Sequence, residues 1–386
     1  MSALAFALVA SIGWLGPLAR TEVVSFDAEL DALSRGVACD GRPQLDDAHR
    51  ELLTTHCEKL QESLAKWKAG WYAAAAPFFR ELVPTGISDR VVYPFGGADL
   101  LTALAIFPDA SEITIMALEP GGDPRSLASV SDAALPRNLK LVRQHFDFLS
   151  RLSFSRSVDL DELAKSMLAG VLIYDLAALV ALGYEPLVLR YFRLGPTGGR
   201  LYYDRQELAR IDAEARAIKD AGRRAKHIAG QFGNFEIRYR KRPSADDPHP
   251  RERTFRHFSA DIEDPGMRQH PELMAHLGLK GRVTAMTKAS SYLLWHTSFG
   301  KLRNWMLANM DWMVSDSTGF APDQIDHAVF EQLTWGKFAG PIITHPRTRA
   351  KKMIELFAEG PERDVPFAFG YPDFRKNRSL LVTRRR

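Results

Sequence analysis

Along the chain, the spacing of apolar positions changes character near residue 185. Before it, helical periods dominate. From Asp46 to Lys66, the positions Leu52, Leu53, His56, Leu60 and Leu64 recur at steps of three and four, which predicts an amphipathic helix. "WKAGWYAAAAPFFREL" continues as a second helix, with Pro77 near a bend or a fresh start because its ring blocks the preceding turn. "RVVYPFGGADLLTALAIFPDASEITIMALEPGG", residues 90–122, reads as strand, glycine turn, short helix, strand and acid. Two more helices are predicted over "LPRNLKLVRQHFDFLSRLSF" and "VDLDELAKSMLAGVLIYDLAALVALGY". The second carries Asp159 and Glu162 at the spacing of a capping box.

After Glu185 the period shortens to two. "PLVLRYFRLGPTGGRLYY" predicts a hairpin, and a charged helix with Leu208, Ile211, Ala215 and Ile218 on one face follows it. "NFEIRYRKRP" and "ERTFRHFSADI" predict a second hairpin across the polar loop "SADDPHPR". "GRVTAMTKASSYLLWHTSFGKLRNWMLANMDWMV" reads as mostly helical, its Trp and Met residues as core. Strands return at "TWGKF", "VPFAFGY" and "SLLVTRR".

No repeat or low-complexity linker divides these elements. Residues 45–386 are therefore expected to form a single α/β domain with an α+β tendency, preceded by a connector over 20–44. Its first part, 45–185, holds the helices and one Rossmann-like β-α-β unit; the second, 186–386, a mixed, largely antiparallel sheet with covering helices. Parallel winding is expected to stop after the first crossover.

Composition narrows the function classes. With 46% hydrophobic and 25% charged residues over 386 positions, the chain is globular rather than disordered or fibrous. The net charge of +4 resides partly on a strand (Arg238, Arg240, Lys241, Arg242) and on the final Arg384–Arg386, so no nucleic-acid partner is expected. Cys39 and Cys57 are too few for a structural zinc site; they form either one disulfide in an oxidising compartment or two thiols. Residues 1–19 carry no charge and approach the length of a signal-peptide core. They are read as a signal peptide or anchor, implying a periplasmic, secreted or membrane-tethered protein. Arg20 just after the run, and no basic residue before it, support the alternative of a cytoplasmic protein.

The glycine turn is the main chemical candidate. Gly96 and Gly97 follow "VVYPF", a helix begins near Asp99, and Glu119 follows "EITIMAL", 22 residues after Gly97. A nucleotide site uses this order: a bare turn that lets a helix N-terminus meet phosphate, then an acid for the ribose hydroxyls. These thirty or so residues resemble the first half of a Rossmann-like site, including those of S-adenosylmethionine-dependent methyltransferases. The resemblance implies a transferase holding S-adenosylmethionine at Gly96, Gly97, Asp99 and Glu119. "GGAD" departs from G-x-G-x-x-G, and Pro94 interrupts the first strand. On the residues alone, the glycines reverse the chain and Asp99 complements a helix dipole.

Lys288 lies in an uncharged run, where a buried lysine needs a carboxylate; Asp316, Asp261 and Glu119 are the partners considered. His257, Ser259 and Asp261 alternate on one strand, as a Ser-His-Asp device could, although no nucleophile elbow is present. Ser63 and Ser298 each begin an S-x-x-K match without its companion motifs, and no histidine spacing suits a metal. The expectation is an exported or envelope-associated binding or scaffolding protein without an obligatory cofactor, with membrane association through residues 1–19. The alternative is the S-adenosylmethionine-type transferase, and a third class is a hydrolase built on Lys288 or His257.

Overall fold

Ten strands build one sheet in the computed structural model, which describes residues 22–41, 47–152, 170–340, 347–370 and 378–386. They are β1 (Arg90–Pro94), β2 (Glu112–Ala117), β3 (Tyr184–Leu194), β4 (Arg200–Tyr202), β5 (Phe235–Lys241), β6 (Arg253–Ser259), β7 (Val283–Thr287), β8 (Met310–Ser315), β9 (Phe330–Gly336) and β10 (Ser379–Arg385). The order across the sheet is β4-β3-β5-β6-β2-β1-β7-β8-β10-β9. The sheet is mixed, as expected, and both predicted hairpins are present as β3–β4 and β5–β6.

The sequence reading missed the run of parallel pairing at the centre. Strands β6, β2, β1, β7 and β8 lie side by side and point the same way. Winding therefore continues beyond the first crossover, and antiparallel strands are added at both edges. The segments 283–287 and 310–315, read as helix, are strands. Every residue of β7 is buried, as are all but Asp311 of β8. A strand covered on both faces has no reason to alternate, so it loses its period-two signature.

Helices α1 (Asp27–Gly36), α2 (Asp47–Trp67), α3 (Ala73–Leu82), α4 (Leu100–Ile106), α5 (Leu135–Leu152) and α6 (Leu172–Ala181) cover one face, together with α7 (Arg205–Ala217) and α8 (Ala221–Gln231). The other face is covered by α9 (Asp264–Gln269), α10 (Pro271–Gly278) and α11 (Gly300–Asn309), while α12 (Arg347–Glu359) packs beside β9. Strand β1 shows how the faces divide: Val91 and Tyr93 enter the first core and Val92 the second. Helix α1 falls within the expected connector and buries Leu30 and Leu33. The break expected near Pro77 occurs earlier, at a π-helical turn over Lys68–Tyr72, with Pro77 inside α3. Cys39 and Cys57 form a disulfide that ties the segment after α1 to α2. Residues 1–19, Asp159 and Glu162 lie outside the described residues.

Candidate functional site

A crevice of about 140 Å³ opens beyond the carboxyl ends of β1, β2, β6 and β7. It lies where the chain, having wound outward from β1 to β2 and β6, returns to place β7 on the other side of β1. Open parallel sheets form ligand crevices at such reversals because the loops leave in opposite directions. Its walls are Phe95–Gly97 after β1, Leu118 and Glu119 after β2, Ala260 and Ile262 after β6, and Lys288–Ser290 after β7. The fold thus brings together Gly96, Gly97, Asp99, Glu119 and Lys288. Asp316, His257 and Asp261 do not line the crevice.

The turn owes its glycines to different causes. A Cβ on Gly96 would come within 2.7 Å of Ile115 Cγ2 and 2.9 Å of the Tyr93 ring, so close packing excludes a side chain there. Gly97 has φ +55°, in the left-handed region. Phe95 and Ala289, at the ends of β1 and β7, also have positive φ, at 60° and 59°. Left-handed backbone at residues other than glycine costs about 1 kcal/mol or more and concentrates at ligand sites.

Asp99 precedes α4 but does not cap it; its side chain turns sideways. Lys288 Nζ lies 2.7 Å from Asp99 Oδ2, and both side chains are about 1% exposed. Tyr93 donates its hydroxyl to the same Oδ2 at 2.9 Å, and the Thr102 hydroxyl donates to Oδ1 at 2.6 Å. Lys288 also donates to Thr102 Oγ1 at 2.9 Å. Burial pushes the Lys288 ammonium down, while Asp99 and then Asp316 pull it back up. Tyr93 is driven up by burial and by the adjoining carboxylate.

Asp316 is held in turn by the Ala289 N–H at 2.6 Å, the Thr318 N–H at 2.9 Å and the Thr318 hydroxyl. The segment 365–370 closes this network from outside: the Phe369 ring centroid is 5.8 Å from Lys288 Nζ, and Gly370 packs on Asp316 so tightly that a methyl would collide with it.

The sequence reading paired Lys288 with Asp316, Asp261 or Glu119. In the structure Asp99 pairs with Lys288 directly, and the charge of Asp316 also acts on it. Asp175 on α6 was also missed. It is fully buried, neither of its oxygens has a hydrogen-bond partner among the described residues, and burial followed by the charge of Asp99 pushes its carboxyl well up.

His257, Ser259 and Asp261 do not assemble into a catalytic device. His257 donates Nε2–H to the Glu119 carbonyl at 2.8 Å and stacks on Phe235; burial holds its ring at about 4, hence neutral. Ser259 donates to the Leu118 carbonyl at 3.1 Å, and Asp261 accepts the Glu263 N–H at 2.9 Å. The first two fasten the turn after β2, leaving Leu118 72% exposed at the rim.

Ser63 of the first S-x-x-K match bonds the Lys59 carbonyl and Asp147. Among the described residues, the one group with metal-ligand proximity is Cys39, His56 and Cys57, and its two sulfurs are bonded to each other. His56 is itself engaged, donating to the Val37 carbonyl at 2.9 Å and accepting from Arg143 at 3.0 Å. Comparison of the chain with protein-family models, curated proteins and solved structures returns no match.

Proposed function

We propose that the protein is an exported binding protein whose ligand is a small, ring-sized molecule bearing hydroxyl groups, held between the Gly96–Gly97 turn and Glu119. The size of the crevice carries this reading. A cavity of about 150 Å³ accepts one benzene-sized ring, whereas pockets for drug-sized ligands and cofactors span about 300–1,000 Å³. At about 140 Å³ the crevice belongs with the former. Leu118, Ile262 and Leu293 offer apolar contact, while Glu119 and Ser290 offer polar groups at the wall. On the floor, Lys288 and Asp99 are committed to each other, which favours binding over nucleophilic or base chemistry.

Export is supported by the Cys39–Cys57 disulfide and by the uncharged residues 1–19. The test is a thermal-shift screen of pentoses, hexoses and cyclitols, repeated on Glu119→Ala, with fractionation and the mass of the mature N-terminus alongside. A ring-sized polyol should raise the unfolding temperature of the parent chain and not of the variant. Failure of every such compound retires the ligand class, and an intact N-terminus in the cytoplasm retires export.

A second reading is an S-adenosylmethionine-type transferase, favoured by five parallel strands with Gly97 and Glu119 on one crevice. It requires the cofactor to extend well beyond the present cavity. Stabilisation by S-adenosylmethionine or S-adenosylhomocysteine, with none by simple sugars, would put this reading first.

A further inference from the structure

We infer that the edge formed by β4, α7 and α8 docks against an anionic phospholipid bilayer. The observation is a set of exposed cations without ion pairs on a helical hairpin whose second helix buries none of its side chains. None of the eleven residues of α8 is buried. Arg216 at the end of α7, Lys219 in the connection, and Arg223, Arg224 and Lys226 on α8 are all exposed.

Among the described residues none of these five makes an ion pair; of the nearby acids, Asp220 keeps its charge beside Lys219 and offsets one of the five, and the others are engaged elsewhere. Asp204 and Asp220 accept backbone N–H bonds at the starts of α7 and α8, at 2.8 and 2.7 Å. Glu207 and Glu214 pair with Arg210, and Asp212 with Arg125. The start of α8 adds partial positive charge beside Arg223 and Arg224.

Exposed apolar side chains mark the other end of this edge. Leu201 on β4 is 44% exposed, and Val23, bridged to Asp204 at the start of α7, is 41% exposed. Leu201 stands opposite Arg193, whose guanidinium reaches Glu207, so Leu201 shares the α7 side of the sheet. Cations and apolar groups are thus spread along an edge about 20 Å long. An extended anionic surface with an apolar interior matches that distribution. Single-stranded nucleic acid matches it less well, since the five basic positions have no aromatic stacking partner interleaved with them, and a duplex offers no apolar interior to Leu201 and Val23. From Val23 the chain leads back toward the uncharged residues 1–19. The inference is independent of what the crevice binds.

The test is co-sedimentation of the full chain with vesicles of phosphatidylcholine alone or mixed with phosphatidylglycerol. Three proteins are compared: the parent, Arg223→Glu/Arg224→Glu/Lys226→Glu, and Arg347→Glu/Lys351→Glu/Lys352→Glu. The last makes the same change in net charge on α12, at the opposite edge of the sheet. The parent should prefer the anionic vesicles, and added salt should weaken that preference. The α8 variant should lose on the order of a hundredfold of it, and the α12 variant should keep most of it. Residual binding to neutral vesicles through residues 1–19 should be the same in all three. No anionic preference in the parent, equal loss in both variants, or capture of duplex DNA in place of vesicles overturns the inference.

Discussion

Replacing Lys288 with methionine removes the cation from Asp99 while keeping most of the volume it fills. At 2.7 Å and an effective dielectric of about 20, the attraction between the two charges is about 6 kcal/mol. Burying each ion costs several kcal/mol, so the intact pair adds little net stability. The single variant loses the attraction but retains the burial cost of Asp99, and should be destabilised by about 3–5 kcal/mol. Asp99→Asn takes from the ammonium its carboxylate at 2.7 Å but leaves it the charge of Asp316, so its cost should fall at the lower end of that range. The double variant removes both charges and should cost only about 1–2 kcal/mol, leaving a coupling energy of about 3 kcal/mol or more.

The assay is equilibrium denaturation at neutral pH, followed by circular dichroism and by tryptophan fluorescence. The two probes must coincide for the free energies to be comparable. Additive single-variant costs, with coupling below about 0.5 kcal/mol, would refute the idea that the pair forms the crevice floor as a unit.

Three further outcomes follow from the same geometry. Burial alone would raise Glu112, but Lys280 and Arg256 outweigh it and hold the carboxyl at about 2, below its ordinary 4.5. The contribution of this three-residue cluster is therefore present above pH 4.5 and lost as pH falls toward 2; acid titration of Glu112→Gln should give a limb flatter by about 3 kcal/mol, and parallel limbs would contradict this. The disulfide spans 18 residues, so Cys39→Ala/Cys57→Ala should lower denaturation stability by about 3 kcal/mol, and a loss below about 1 kcal/mol would mean that the open loop is already constrained when unfolded. His257→Phe keeps the ring stack but leaves the Glu119 carbonyl without its donor; stability should drop by about 1–3 kcal/mol and hydrogen exchange over residues 117–121 should quicken, with unchanged exchange counting against the clamp.

Legibility in the sequence followed exposure. The hairpins β3–β4 and β5–β6 were readable because their turns are polar and their strands are wet in part. "VTAMT" and "MDWMVS" were not, since burial on both sides erases alternation and their methionines and alanine suit a helix as well. The charged network left a usable trace. Asp99 is the one charged residue between Arg90 and Asp109, Asp175 the one between Lys165 and Glu185, and Lys288 the one between Arg282 and Lys301. Isolation in an uncharged run singled out Lys288, and the same criterion applied throughout would have recovered Asp99 and Asp175. Which of these groups meet is set by the crossover that places β7 beside β1, and no local pattern encodes that.

The two sides of the crevice are built on different grounds. Gly96 is excluded from bearing a side chain by Ile115 and Tyr93, so a glycine is needed there with or without a ligand. Asp99 is likewise consumed by Lys288, Tyr93 and Thr102. On the β2 side the position is reversed. His257 is fully buried, and its Nδ1 has no partner among the described residues, a cost the core bears while Nε2 grips the Glu119 carbonyl. Ser259 grips the preceding carbonyl as well. Those two bonds hold a turn whose outward side chains are an exposed leucine and a half-buried glutamate. Packing fastens the residues that follow as well, since the Gly121 N–H reaches the Gly233 carbonyl at 3.0 Å and a Cβ on Gly121 would meet the Phe235 ring at 2.5 Å. On the proposed binding function, Leu118 and Glu119 on this turn form one wall of the ligand site and the glycine turn the wall opposite.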